Sequence, residues 1–272
     1  MAVLTIPQLE MDISYMCNLR CEGCAHYSNY SLPGSVDFKT GEAWLRRWAE
    51  RVRPELFGML GGEPAINPHM LDYVRLVAEL WPDTKRLLIS NGLLLYKYPD
   101  LWQTLVDTGT KLEVSCHSTT DQKYLAQFNP RLAEIEAARE EYGFDFRLRH
   151  SENFYKAYRG EGATMKPFDD GDPAASYKVC DNRKCWTLHL GRIWKCPPLA
   201  FLGLVADKFD LYQHEEWWPY MQYKGIGLDA SDEELEDFFD RRTEWVCGMC
   251  PTKLDRQPMN VLPKKIVRDA AE

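Results

Sequence analysis

Between Leu9 and His150 short apolar runs alternate with longer amphipathic stretches, and few folds accept that order. LEMDIS (9–14), LFGML (56–60), RLLIS (86–90), KLEVSCH (111–117) and DFRLRH (145–150) read as strands. Residues 39–52, 69–80, 100–107 and 130–144 read as helices. Pro82 stops the second of them and Gly143 ends the fourth. Strands separated by helices imply right-handed βαβ units and a parallel sheet. The expected class is α/β: a partial (β/α) TIM-like barrel of about five to six parallel strands, followed by a small C-terminal cysteine-rich domain.

The character changes after Ser151. Residues 159–176 carry Gly160, Gly162, Gly171, Pro167, Pro173 and the Asp169-Asp170 pair, and read as a linker. WTLHLGRIWKC (186–196) reads as a hairpin turning at Gly191. Residues 231–242 read as a helix with a capping box, Ser231 at the N-cap and Glu234 three positions on. The expected division is therefore 1–158, a linker at 159–178, and 179–272.

Composition excludes some roles. The 272 residues carry a net charge of −8, which disfavours holding a polyanion by bulk electrostatics. No apolar run reaches the roughly 18 residues of a membrane span. The N-terminus lacks the basic flank and apolar core of a secretion signal, so a cytoplasmic location and no membrane partner are expected. Nine cysteines in such a chain point to metal or catalytic use rather than disulfides. Cys17, Cys21 and Cys24 form one set, and Cys180, Cys185, Cys196, Cys247 and Cys250 another.

Strand parity divides the side chains. Glu10, Asp12 and Ser14 share one face and Leu9, Met11 and Ile13 the other. Glu113, Ser115 and His117 oppose Leu112, Val114 and Cys116, and Arg147 and Arg149 oppose Phe146 and Leu148. Helices cover the outside of such a barrel, so the polar faces are expected inside. Cys116, on the apolar face, is expected to be a core thiol. Arg147 and Arg149 are candidates to clamp a carboxylate or phosphate.

MCNLRCEGCAHYS (16–28) directly follows the first strand, where barrel enzymes build their sites. Three thiolates at this spacing can hold three irons of a cubane and leave the fourth open; with His26 as a fourth ligand they would suit zinc. One βα step later stands Gly61-Gly62-Glu63-Pro64, and Ser90-Asn91-Gly92 follows the third strand. Cys17-x-x-x-Cys21-x-x-Cys24 with this Gly-Gly-Glu-Pro resembles the radical S-adenosylmethionine (SAM) superfamily. The resemblance implies a [4Fe–4S] cluster on Cys17, Cys21 and Cys24 whose open iron chelates SAM. It implies that Gly61, Gly62, Glu63 and Pro64 bind the methionine amino group, and that Asn91 and Ser115 complete the pocket, Ser115 near the ribose. Reductive cleavage of SAM then yields a 5′-deoxyadenosyl radical that abstracts a substrate hydrogen. The residue before the third cysteine, often aromatic in the family, is Gly23 here. The adenine contact is then expected from Tyr27 or His26.

The second set, a hairpin flanked by cysteines and a distant Cys247-Gly-Met-Cys250, can supply four thiolates. It resembles the C-terminal Twitch domain, the short form of SPASM. The resemblance implies one auxiliary [4Fe–4S] cluster on Cys196, Cys247, Cys250 and either Cys180 or Cys185. A zinc ribbon is the alternative for four thiolates in two pairs.

These readings imply an enzyme that oxidises a small sugar-like or specialised-metabolite substrate, the auxiliary cluster taking the second electron. An external one-electron reductant, flavodoxin- or ferredoxin-like, is the implied partner. The alternative is a radical epimerase, isomerase or maturase acting on a peptide or modified nucleotide. The first strand starts close to Met1, so no N-terminal peptide-recognition unit is expected.

Overall fold

The computed structural model describes residues 3–168, 170–258 and 261. Nine elements form the first half: β1 (Leu4–Ser14), α1 (Phe38–Ala49), β2 (Val52–Gly61), α2 (Met70–Leu80), β3 (Lys85–Ser90), α3 (Leu101–Thr108), β4 (Lys111–Cys116), α4 (Gln122–Tyr142) and β5 (Phe146–His150). Then come β6 (Asn153–Phe154), α5 (Pro173–Val179), the hairpin β7 (Thr187–His189) and β8 (Arg192–Trp194), α6 (Pro197–Ala200), α7 (Leu202–Phe209), α8 (Trp218–Met221), α9 (Asp232–Asp240) and β9 (Gln257–Pro258).

One seven-stranded sheet runs β5-β4-β3-β2-β1-β7-β8. Every neighbouring pair is parallel except the β7–β8 hairpin. Six parallel strands make an incomplete barrel. The sixth, β7, comes from the cysteine-rich half and pairs with β1 at Glu10 and Met11. The expected unit 179–272 thus extends the sheet of the first unit; its residues 259–260 and 262–272 lie outside the described residues.

The apolar faces pack outward against helices. Leu9, Met11, Ile13, Phe57, Leu88, Leu112 and Val114 join Trp48, Tyr73 and Val77 in one core. Burying each of the large aliphatic or aromatic side chains contributes on the order of 1.5–3 kcal/mol. Cys116 is buried in the same core. The opposite face carries Glu10, Asp12, Ser14, Glu113 and Ser115, all buried. A second core, with Tyr27, Tyr158, Met165, Phe201, Trp217 and Met249, underlies the cysteine-rich half.

Three elements differ from their sequence pattern. Helix α4 starts eight residues before Pro130, because Asp121 caps it by accepting from the Lys123 and Tyr124 amides and because Tyr124 and Phe128 are buried. A proline reads as a first-turn residue, and here packing overrides that signal. Strand β1 begins at Leu4 and runs through Pro7, which is skipped in the register with β2 while β7 pairs only further along. The missing amide of Pro7 therefore interrupts no ladder bond. The linker holds real structure: Arg159 and Lys166 bridge, and α5 is capped by Asp172, which accepts from the Ala175 amide at 3.0 Å. Among the described residues no helix is long and apolar enough to cross a membrane.

Candidate active site

The first cysteine loop is docked by backbone. Gly62 N–H donates to Ser14 O at 2.7 Å and Glu63 N–H to Met16 O at 2.8 Å. A Cβ on Gly61 would stand 2.3 Å from Ser14 O, and one on Gly62 2.2 Å from Met16 O. Only glycine lets the end of β2 approach the loop after β1 this closely. Gly23 has φ 75°, and a Cβ there would meet the Tyr155 backbone at 3.1 Å. That contact gives a physical reason for glycine before the third cysteine.

Cys17, Cys21 and Cys24 line one cavity of about 130 Å³. Gly61, Gly62, Asn91, Ser115 and His26 line it too. Asn91 is braced by the cysteine loop and by its own: its side-chain amide donates to Asn18 Oδ1 at 2.7 Å, and its carbonyl oxygen accepts from Leu93 N–H at 3.0 Å. Sequence reasoning missed Asn29 and Ser151, which also line the cavity. Ser151 directly follows β5, so the rule that sites gather at strand C-termini could have found it. A buried oxygen on each, Ser151 Oγ and Asn29 Oδ1, has no hydrogen-bond partner.

Glu63, Pro64 and Tyr27 are not brought to this cavity. Glu63 is fully buried beneath it, accepting from Ser90 Oγ at 2.7 Å, Asn91 N–H at 2.8 Å and Ala65 N–H at 3.0 Å. Three of a carboxylate's roughly four acceptor positions are thus used within the chain. Burial still pushes the Glu63 carboxyl up. Pro64 opens the short turn Pro64–Ile66. Tyr27 lies in the second core. Arg147 and Arg149 both pair with Glu113, at 2.6 and 3.2 Å. Their charge is therefore met in part inside the chain.

The second set gathers elsewhere. Cys180, Cys196, Cys247 and Cys250 line a cavity of about 350 Å³. Cys180 ends α5, Cys196 caps α6, and Cys247 and Cys250 belong to the turn Trp245–Met249 and its end. Ser176 Oγ donates to Cys250 O at 2.8 Å and ties α5 to that turn. Lys195, buried nearby, pairs with Glu244 at 3.3 Å. Cys185 does not line this cavity; its thiol lies against the Glu10 carboxyl. Among the described residues no three His, Cys, Asp or Glu side chains are gathered closely enough for one metal ion.

The sequence model of the radical SAM superfamily matches residues 11–150, which hold β1 through β5 and the first cysteine cavity. The chain belongs to the radical SAM superfamily. No curated protein matches it. Its fold is similar to that of Streptococcus suis SuiB bound to S-adenosylmethionine: 19% identity, 54% of this chain, 34% of that one, TM-score 0.45. It is similar also to BtrN in complex with AdoMet and 2-DOIA, with 15% identity, 88% and 84% coverage and TM-score 0.48. Native anSMEcpe with bound AdoMet gives 18% identity, 52% and 42% coverage and TM-score 0.41. The chain spans about a third of the length of the SuiB chain.

Radical SAM proteins use SAM and a [4Fe–4S] cluster, and the residues present fit both. Cys17, Cys21 and Cys24 all line the cavity, and three thiolates holding a cubane would leave one iron without a protein ligand. The unpartnered oxygens of Ser151 and Asn29 supply places for polar groups of a ligand. Two imidazoles are shifted in opposite directions. Burial pulls His117 down to about 4, so it is neutral at pH 7. Burial opposes protonation of His26 as well, but Asp12, 2.6 Å from Nδ1, with Glu10 behind it, holds its pKa above the ordinary value.

Burial also pushes the Glu10 carboxyl up to about 7, from 4.5. The native state then keeps a proton that the unfolded chain has lost. Glu10's contribution is fully present below about pH 4.5 and is lost as pH rises through 7. Glu10→Gln, which keeps shape without ionising, should therefore gain on the native radical SAM protein between pH 5 and pH 8, by about 2–3 kcal/mol. Anaerobic denaturant titrations at the two pH values measure it, and equal pH slopes for both proteins would sink the assignment.

Proposed function

We propose that this radical SAM enzyme oxidises a small sugar-like or specialised-metabolite substrate and belongs to the subgroup with a Twitch/SPASM-like auxiliary [4Fe–4S] cluster. The observation that carries the reading is the joint lining of one cavity by Cys180, Cys196, Cys247 and Cys250. Four thiolates suffice for a closed cubane, and such a cluster is a one-electron acceptor beside the barrel. Bound at Cys17, Cys21 and Cys24, the first cluster with SAM would supply a 5′-deoxyadenosyl radical able to take hydrogen from carbon.

The chain's own residues do the rest. Gly61 and Gly62 let the backbone approach a ligand. Asn91, Ser115, Ser151 and Asn29 offer polar partners around the first cavity. Glu63 holds the β2 and β3 ends together from beneath the cavity, through Ser90 Oγ and the Asn91 amide. Arg149 lines the same cavity, and its pairing with Glu113 leaves it in place to meet an anionic substrate group. A flavodoxin- or ferredoxin-like protein would provide the starting electron, in a cytoplasmic setting. The division into a barrel at 1–158 and a cluster unit at 179–272 follows the two cysteine sets.

Iron counting after anaerobic reconstitution tests this. The native enzyme should hold about eight irons. Cys180→Ala should lower that to about four, and Cys185→Ala should leave about eight. Zinc in the second cavity, or the reverse result for the two variants, would overturn the ligand assignment. With a true substrate, substrate deuterium should pass into 5′-deoxyadenosine and the product should be two hydrogens lighter.

One observation favours a second reading, a redox-neutral epimerase, isomerase or maturase on a peptide or modified nucleotide. The Cys185 thiol lies against Glu10, on the face of β1 that also carries Asp12. A thiol there could return a hydrogen to a substrate radical. Product mass would then be unchanged in ordinary water and would rise in heavy water.

A further inference from the structure

Tyr27 stands three residues past Cys24, in a left-handed conformation with φ 53° and ψ 15°. That backbone turns its ring away from the first cysteine cavity into the second core. The side chain is 1% exposed, among Leu32, Tyr158, Met165, Val246 and Met249. Cys196 and Cys250 pack against the same core. The ring is held in place, yet its hydroxyl has no hydrogen-bond partner. A buried hydroxyl without a partner is rare because its loss of water is uncompensated. The neighbouring Tyr158 hydroxyl is already paired with Tyr30 at 2.8 Å. Burial first, then Cys250, Tyr158 and Cys196, push the Tyr27 pKa far up, so the hydroxyl keeps its proton and remains a donor.

We infer that Tyr27 Oη donates a hydrogen bond to sulfur at the second cysteine set, on the Cys250 or Cys196 side, and so tunes the auxiliary cluster from the loop that carries the first one. The inference rests on the reading that Cys180, Cys196, Cys247 and Cys250 hold a cluster. Tyr27 is then a positioning and tuning residue rather than an adenine contact. A hydrogen bond to a cluster sulfur stabilises the more negatively charged reduced state and raises the reduction potential. Because Tyr27 and Cys24 share one loop, a change in that loop would be felt at the second cluster.

Tyr27→Phe removes the hydroxyl and keeps the ring, so the core survives. Redox titration of the reconstituted holoenzyme, followed by electron paramagnetic resonance, reads each cluster. Iron should stay at about eight per chain. The auxiliary cluster should become harder to reduce by about tenfold in its equilibrium, about 59 mV for one electron. The first cluster's potential and SAM affinity should not move. Tyr158→Phe, which breaks a hydroxyl pair in the same core, should shift neither potential. Eight irons with an unmoved auxiliary potential in Tyr27→Phe would overturn the inference alone. So would an equal shift in Tyr158→Phe, or a loss of SAM affinity with the potential unchanged. Four irons in the native enzyme would overturn the cluster reading, and the inference with it.

Discussion

Alanine at Cys17, Cys21 and Cys24 together is expected to remove about four of about eight irons and to abolish formation of 5′-deoxyadenosine. Each thiolate holds one iron, so no partial site remains to chelate SAM through an open iron. The fold should persist. The loop is docked chiefly through backbone, by Gly62 N–H on Ser14 O and Glu63 N–H on Met16 O, with a longer contact from Asn91 Nδ2 to Cys17 Sγ at 3.9 Å. Of the three, only Cys21 is buried in the main core. Iron and sulfide analysis, far-ultraviolet circular dichroism and product chromatography check the three parts separately. Residual SAM cleavage in the triple variant would refute the site, and a collapsed spectrum would refute the claim that backbone docks the loop.

The second large effect is expected at Glu63, and it is structural. Glu63→Ala strips partners from Ser90 Oγ and from the Asn91 and Ala65 amides, all buried. Each of these three buried donors left alone costs about 1–3 kcal/mol, so a loss of about 3–9 kcal/mol is expected. At roughly 2–4 °C per kcal/mol for a chain of this size, the melting temperature should fall by about 6 °C or more. Glu63→Gln keeps one carbonyl acceptor and should fall between the two. SAM affinity should drop as well, because Asn91 lines the cavity and is held by this carboxylate. Unchanged melting with lost SAM affinity would show that Glu63 serves the cofactor ammonium alone.

Much was legible in the chain because it is local. Alternating strand and helix patterns specify parallel βα units, since strand parity and helix periodicity follow from geometry of a few residues. The spacing of Cys17, Cys21 and Cys24 within eight positions needs no distant partner to converge, and the structure places all three around one cavity. Parity likewise put Cys116 among the apolar residues of β4 and Glu113 and Ser115 on the other face.

What is distant in sequence had to wait for tertiary structure. Cys180 and Cys185 are five residues apart and look interchangeable as ligands. Only the packing of α5 against the Trp245–Met249 turn aims Cys180 at Cys247 and Cys250, while Cys185 meets Glu10 from the other end of the chain. Thr187–His189 reads as one arm of a hairpin, and its three residues carry too short a pattern to announce the parallel pairing with β1. Tyr27 reads as a pocket residue by its nearness to Cys24, yet a left-handed backbone turns it into the second core. Backbone reversals and long-range packing are set by the sum of many weak contacts, and no short stretch of residues contains that sum.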